Sequence, residues 1–215
     1  EALAAKLALH SWPGLDRVFF VSGGSEAVES AMKLARQYAV ASGQAQRWKV
    51  ISRVPSYHGC TLGALSVTGY DPLTDPFRPM MVAMPKVPAP RAWLDGLDPD
   101  DPATGTHYAA MVEDEILRQG PETVLAVLLE PVGGASTGAL VPPRGYMEAV
   151  RAICDRHGVL LIHDEVMSGG GRLGHLLGGR NWDCRPDIVA MSKGLGAGYV
   201  PLGAVIARGD LVDAV

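Results

Sequence analysis

The chain has 215 residues, 19 basic side chains against 23 acidic ones, a formal charge of −4 and a hydrophobic fraction of 47%. That length buries roughly 70% of the unfolded surface in one core, so stability requires neither disulfides nor a structural metal, and one large domain is expected. The composition excludes a disordered tail, and the acidic balance argues against nucleic-acid or anionic-membrane partners, which need a basic face.

Arg17–Val21 reads as the first strand. After Ser22-Gly23-Gly24-Ser25, residues Val28, Ala31, Met32, Ala35, Tyr38 and Ala39 recur on one face of a helix. Lys49–Val54 is a second strand. Asp71–Thr106 then holds eight of the sixteen prolines. It is expected to be a long loop excursion, of the functional or mobile kind. Thr123–Leu129 and Val159–Ile162 are short continuous apolar runs, as in a parallel sheet covered on both faces. Between them a helix of about fifteen residues is predicted from near Pro143, with Tyr146, Val150, Ile153 and Cys154 on one stripe. His157-Gly158 is its stop signal. Asp187–Met191 and Leu202–Ala207 complete six strands. Their alternation with helices predicts an α/β fold with right-handed crossovers.

Cys60, Cys154 and Cys184 are odd in number and widely spaced, which predicts reduced, inert packing thiols in a cytoplasmic compartment. No apolar run approaches the roughly 18 residues of a membrane span, and nothing resembles a signal peptide. The chain starts at Glu1 and stops soon after Arg208-Gly209-Asp210-Leu211, which reads as a helix opening. Both ends are expected to continue in a longer protein.

Three motifs could carry chemistry. Ser22-Gly23-Gly24-Ser25-Glu26 lies between strand and helix, where free amides at the positive end of a helix and a hydroxyl suit a phosphate. Taken alone, the motif reads first as a plain turn with Ser25 as N-cap. His163-Asp164-Glu165 ends the most apolar strand, and ligands of open α/β sheets sit at such ends. A capping or solvated carboxylate is the alternative. H-E-x-x-H is absent, so no metal site is assigned. Ser192-Lys193-Gly194 also follows a strand. Glycines around a lysine there suit an amine that must be desolvated and free to swing, as in Schiff-base chemistry, although a lone lysine is usually only solvated. Gly169-Gly170-Gly171-Arg172-Leu173-Gly174 satisfies G-x-G-x-x-G, but the carboxylates before it would repel a pyrophosphate. Its glycines are also too dense to open a helix.

Together the segments 19–36 (FFVSGGSEAVESAMKLAR), 56–69 (SYHGCTLGALSVTG), 128–138 (LLEPVGGASTG), 153–174 and 186–205 resemble, in order, the class III pyridoxal-phosphate (PLP) aminotransferases. The resemblance implies a fold-type I large domain over residues 1–215, with a mostly parallel seven-stranded sheet and with the N-terminal arm and C-terminal small domain missing. It implies PLP as cofactor, a small-molecule amine or amino acid donor, a 2-oxo acid acceptor and a homodimer. Lys193 is then the Schiff-base lysine and Asp164 the partner of the pyridine nitrogen. Gly24 and Ser25 hold the phosphate, Tyr57 stacks on one ring face with His58 and Gly59 shaping that wall, and Val166 packs the other face. Glu130 joins the polar network near the cofactor hydroxyl. Two positions depart from the family pattern: Met167 stands where many members carry glutamine, and Gly169-Gly170-Gly171-Arg172 replaces Gly-Phe-Gly-Arg. The family's arginine for the substrate carboxylate has no assigned counterpart here. Other PLP reactions on the same fold (aminomutase, racemase, decarboxylase) or a truncated non-catalytic homologue remain open at this level.

Overall fold

A computed structural model describes residues 1–215. Helix α1 (Ala2–His10) leads into β1 (Leu15–Val21), α2 (Gly24–Ala41) and β2 (Lys49–Val54). Two short helices, α3 (Leu62–Val67) and α4 (Asp71–Thr74), precede β3 (Lys86–Pro88) and α5 (Pro102–Gln119). Then come β4 (Val124–Leu129), α6 (Tyr146–His157), β5 (Leu160–Asp164), β6 (Ile188–Met191), β7 (Gly203–Arg208) and α7 (Gly209–Asp213).

The strands form one seven-stranded sheet in the order β1-β7-β6-β5-β4-β2-β3. β3, β2, β4, β5 and β6 are mutually parallel. β7 is antiparallel to both of its neighbours, which leaves β1 pointing with the parallel set. All six residues of β4 are buried, as its uninterrupted apolar run requires of a strand covered on both faces. On one face α2 packs through Ala27, Val28, Ala31, Ala35 and Ala39; a stripe of alanines lets the helix axis approach the sheet closely. On the other, α5 and α6 close over Ile51, Val127, Leu129 and Leu161. Burying about 1.5–3 kcal/mol of transfer free energy per large aliphatic side chain holds these layers together.

The six expected strands are present, with ends shifted by a residue or two. The seventh, β3, lies inside the proline-rich segment. That segment is therefore not simply a loop. It carries α4, a 3₁₀ turn (Asp75–Met80), an edge strand and the start of α5. Asp101 caps α5 by accepting the Ala103 N–H, with Pro102 in the first turn, a start signal that the density of prolines obscured. Helix α6 is shorter than expected. It begins only after Gly145, which adopts a left-handed φ of 81°, and it ends at Gly158, also left-handed. No helix is long and apolar enough to cross a membrane.

The consequence for function is directional. β1, β2, β4, β5 and β6 all end at the same edge of the sheet, so Gly24, Tyr57, Glu130, Asp164 and Lys193 all follow strands that converge there.

Candidate active site

A cavity of about 200 Å³ opens at this carboxyl edge. Its lining includes all eight residues singled out from the sequence: Gly24, Ser25, Tyr57, His58, Glu130, Asp164, Val166 and Lys193. Gly59, Met167 and Ser192 complete it.

One wall is the start of α2. Gly23 is its N-cap and no side chain caps the helix, so Ser25 is not the cap that a plain turn would have used. Its Oγ instead accepts the Cys60 N–H at 3.0 Å. A Cβ on Gly24 would come within 3.0 Å of Val166 Cγ1. Gly59, with φ of 137°, would place one 2.6 Å from Ser25 Oγ. Both glycines let backbone pass where a side chain would collide. The product is an uncapped helix end with a hydroxyl beside it, a ready site for an anion. Cys60 itself is exposed, contrary to the packing role expected for it, whereas Cys154 and Cys184 are buried and burial holds the Cys154 thiol up at about 12.

The deep wall is Asp164, the last residue of β5 and 4% exposed. Its Oδ1 accepts the Val166 N–H at 3.0 Å, and its Oδ2 lies 2.8 Å from His58 Nδ1. His58 thus lines the pocket and also backs the carboxylate, with its own Nε2 left without a hydrogen bond. Glu130 sits alongside. Its Oε1 accepts the Gly134 N–H at 2.9 Å, while Oε2 is buried and unpartnered with the Arg53 guanidinium 4.0 Å away. Burial pushes the Glu130 carboxyl above the usual carboxylate range, opposed by the positive fields of His58 and Arg53. Burial likewise raises the Tyr57 phenol, so it stays neutral.

Lys193 follows β6 and is exposed. Its φ of 42° is left-handed, a conformation that costs a non-glycine residue about 1 kcal/mol or more. Ser192 holds the turn by donating its hydroxyl to Leu202 O at 2.8 Å. The strain is therefore maintained by the surrounding fold at the one lysine of the pocket. Met167 presents a thioether to the cavity and can donate nothing to a ligand.

Sequence reasoning missed Glu165. Its carboxylate is 1% exposed and accepts from Ser168 Oγ at 2.5 Å, Gly178 N–H at 3.0 Å and Gly179 N–H at 2.7 Å. It ties both ends of the 168–179 segment to the end of β5. The one available signal was a carboxylate inside an apolar strand end, followed by a hydroxyl three residues on and a Gly-Gly pair. Residues 169–174 make turns, and no helix follows them directly, so the G-x-G-x-x-G match has no phosphate-binding geometry.

A mostly parallel seven-stranded sheet between helices, with a lysine and a buried carboxylate lining one cavity at its carboxyl edge, is the fold of the PLP-dependent transaminases. The chain belongs to the class III aminotransferase family, whose family model matches residues 1–215. It is 39% identical over 214 residues to an omega-aminotransferase of Caulobacter vibrioides, covering 99% of this chain and 48% of that protein. Among solved structures it is similar to an (S)-enantioselective omega-transaminase of Thermomicrobium roseum, with TM-score 0.94 and 40% identity over 99% of this chain and 47% of that one. It is also similar to an amine transaminase of an uncultivated Pseudomonas species solved in its PLP-bound form, with TM-score 0.90, 39% identity and coverage of 99% and 48%. The chain spans about half the length of the relatives it matches.

Proposed function

We propose that this chain is the cofactor-binding large domain of a PLP-dependent transaminase, which moves an amino group from an amine or amino acid to a 2-oxo acid. The observation that carries the reading is the pocket itself: Lys193, the Asp164–His58 pair and the uncapped start of α2 line one cavity. PLP fits this donor set. Its phosphate matches the α2 amides and the Ser25 hydroxyl, with Gly24 permitting the approach. Asp164 would pair with its protonated ring nitrogen, Tyr57 and Val166 would flank its ring, and the Lys193 amine would meet its aldehyde. When bound, PLP supplies an electron sink for the carbanion left when a substrate carbon loses its proton.

The chain's own groups do the rest. His58 and the Val166 N–H hold both Asp164 oxygens in place. Glu130 lends its unpartnered Oε2 to the polar network beside the ring. Lys193 Nζ would carry the proton to and from the substrate Cα as general base and acid. The length relative to its relatives supports an arm and a small domain elsewhere in the intact protein, and the family supports a homodimer. Three free thiols suit a cytoplasmic location.

The test is nitrogen transfer by the intact protein. With a nitrogen-labelled amino donor and an added 2-oxo acid, the label is expected in the amine of the new amino acid. Label that leaves as ammonia, or stays on a rearranged donor, would assign another reaction to the same fold.

A further inference from the structure

Arg53, the last residue but one of β2, is only 4% exposed, a burial that arginine rarely accepts without a partner. It does not line the Asp164 cavity, whereas Glu130 does. β2 and β4 run parallel and are paired as far as Ile51 and Val127, so Arg53 and Glu130 stand at neighbouring strand ends. Arg53 Nη2 donates to Glu130 O at 2.6 Å and lies 4.0 Å from Glu130 Oε2. The residue is also firmly mounted. Ser56 Oγ donates to Arg53 O at 2.6 Å, and a Cβ on Gly69 would collide with that same oxygen.

A strap between two strands would need only the bond to the carbonyl. The charge has its own requirement, because a buried cation must be balanced. Glu130 is the only carboxylate within 4.0 Å of the guanidinium, whose Nε is buried without a hydrogen bond. Tyr146 and His163 also feel its field, but burial raises the phenol and lowers the imidazole, so both stay neutral. Glu130 in turn faces Tyr57, His58, Asp164 and Lys193 in the first cavity and Tyr70 in an adjoining one. Asp164 opposes its ionisation, and His58 and Arg53 favour it. A histidine can lose its charge near neutral pH, whereas a guanidinium keeps it. Lys193 is exposed, so water screens it. Arg53 is therefore the permanent buried cation beside this carboxylate.

We propose that Arg53 is a positioning residue of the active site: fixed on the Glu130 carbonyl, it keeps the adjacent carboxylate ionised, so that Oε2 meets a bound ligand as an acceptor. A protonated Glu130 would offer a donor instead. The transaminase reading enters only through the identity of the ligand.

The test uses the intact protein and its Arg53→Met, Glu130→Gln, doubly substituted and Arg53→Lys variants. Urea denaturation of the apoproteins reads the pair without any cofactor. Arg53→Met is expected to lower the folding constant roughly tenfold more with Glu130 present than in the Glu130→Gln background. Equal losses in the two backgrounds, or failure of Arg53→Met to fold in both, would reduce the arginine to a strap between β2 and β4 and overturn the proposal. The second readout is pyridoxal phosphate affinity against pH. With the cation gone, the acid limb set by Glu130 should move up by about one pH unit in Arg53→Met. Arg53→Lys, which keeps the charge, should leave the limb in place, and Glu130→Gln should remove it. A limb unmoved in Arg53→Met, or moved as far in Arg53→Lys, contradicts the proposal. A wild type that takes up no cofactor overturns the transaminase reading, and the folding cycle then decides the role of Arg53 on its own.

Discussion

The two edges of the sheet both bury charge, but they use it differently. At the amino edge Asp187 accepts the Leu161 N–H at 2.7 Å, Arg151 at 3.0 Å and Arg208 at 2.5 Å. Nearby, Arg47 donates to Gln44 and to the carbonyls of Pro121, Val124 and His157. These groups pair with one another, Arg151 Nε being the one buried atom of the cluster left over, and they staple the starts of β4, β5 and β6 together. At the carboxyl edge His58 Nε2 and Glu130 Oε2 are buried without a partner, and Lys193 is held in a left-handed conformation. A buried polar atom left unpaired costs about 1–3 kcal/mol. A cluster that closes on itself stabilises the fold. One that keeps unused valences and strain is prepared for a ligand.

The contrast can be broken by substitution. Asp187→Ala leaves Arg151 and Arg208 without their shared anion and should destabilise the chain by roughly 3–5 kcal/mol in urea denaturation. The folded fraction should still bind cofactor as before. If cofactor binding fell in step, the amino edge would be part of the site. Asp164→Asn works the other way: kcat of the intact enzyme should drop by roughly 10²–10³-fold, with far less loss of thermal stability than Asp187→Ala. His58→Phe removes only the hydrogen bond behind Asp164, and about tenfold weaker cofactor binding is expected by equilibrium titration. Wild-type affinity in that variant would reduce His58 to packing.

A smaller, pH-dependent effect sharpens the distinction, because it belongs to a buried group outside both clusters. Burial lowers the His163 imidazole from the usual 6.5 to about 3, so the folded chain keeps it neutral while the unfolded chain protonates it below 6.5. Between these values the unfolded state binds the extra proton, so this group's contribution to stability falls as the pH is lowered. Denaturation of wild type and His163→Gln across that window should show a shallower acid loss in the variant, by up to about 1.4 kcal/mol per pH unit. Parallel curves would mean that His163 titrates alike in both states.

Much of this arrangement was legible in the sequence where local pattern and tertiary role coincide. The run Val124–Leu129 reads as a buried strand because it is one, and the glycines near residues 24 and 59 mark close approaches that the packing requires. Other features depend on what folds beside them. β3 is three residues of an edge strand, too short for a period of its own, and only pairing with β2 defines it. His58 was legible as part of the pocket wall, which it lines, but nothing local places it 2.8 Å from a carboxylate 106 positions away. Glu165 has three partners, and two of them lie 13 and 14 residues on, so its role as an anchor exists only in the folded loop. The eight pocket residues singled out from the sequence were each ordinary one by one. Their order along the chain, and the shared direction of the strands that carry them, made them a set.

The central claim is that Lys193 and Asp164 at the carboxyl edge hold pyridoxal phosphate together. Its most direct test is a titration of the intact apoprotein with the cofactor, followed by visible absorbance, for wild type and Lys193→Ala. The account predicts a new absorbance band in wild type that shifts when a primary amine is added. That band should be missing in Lys193→Ala, even though the variant still takes up the cofactor through α2 and Asp164. An identical band in both proteins would contradict it.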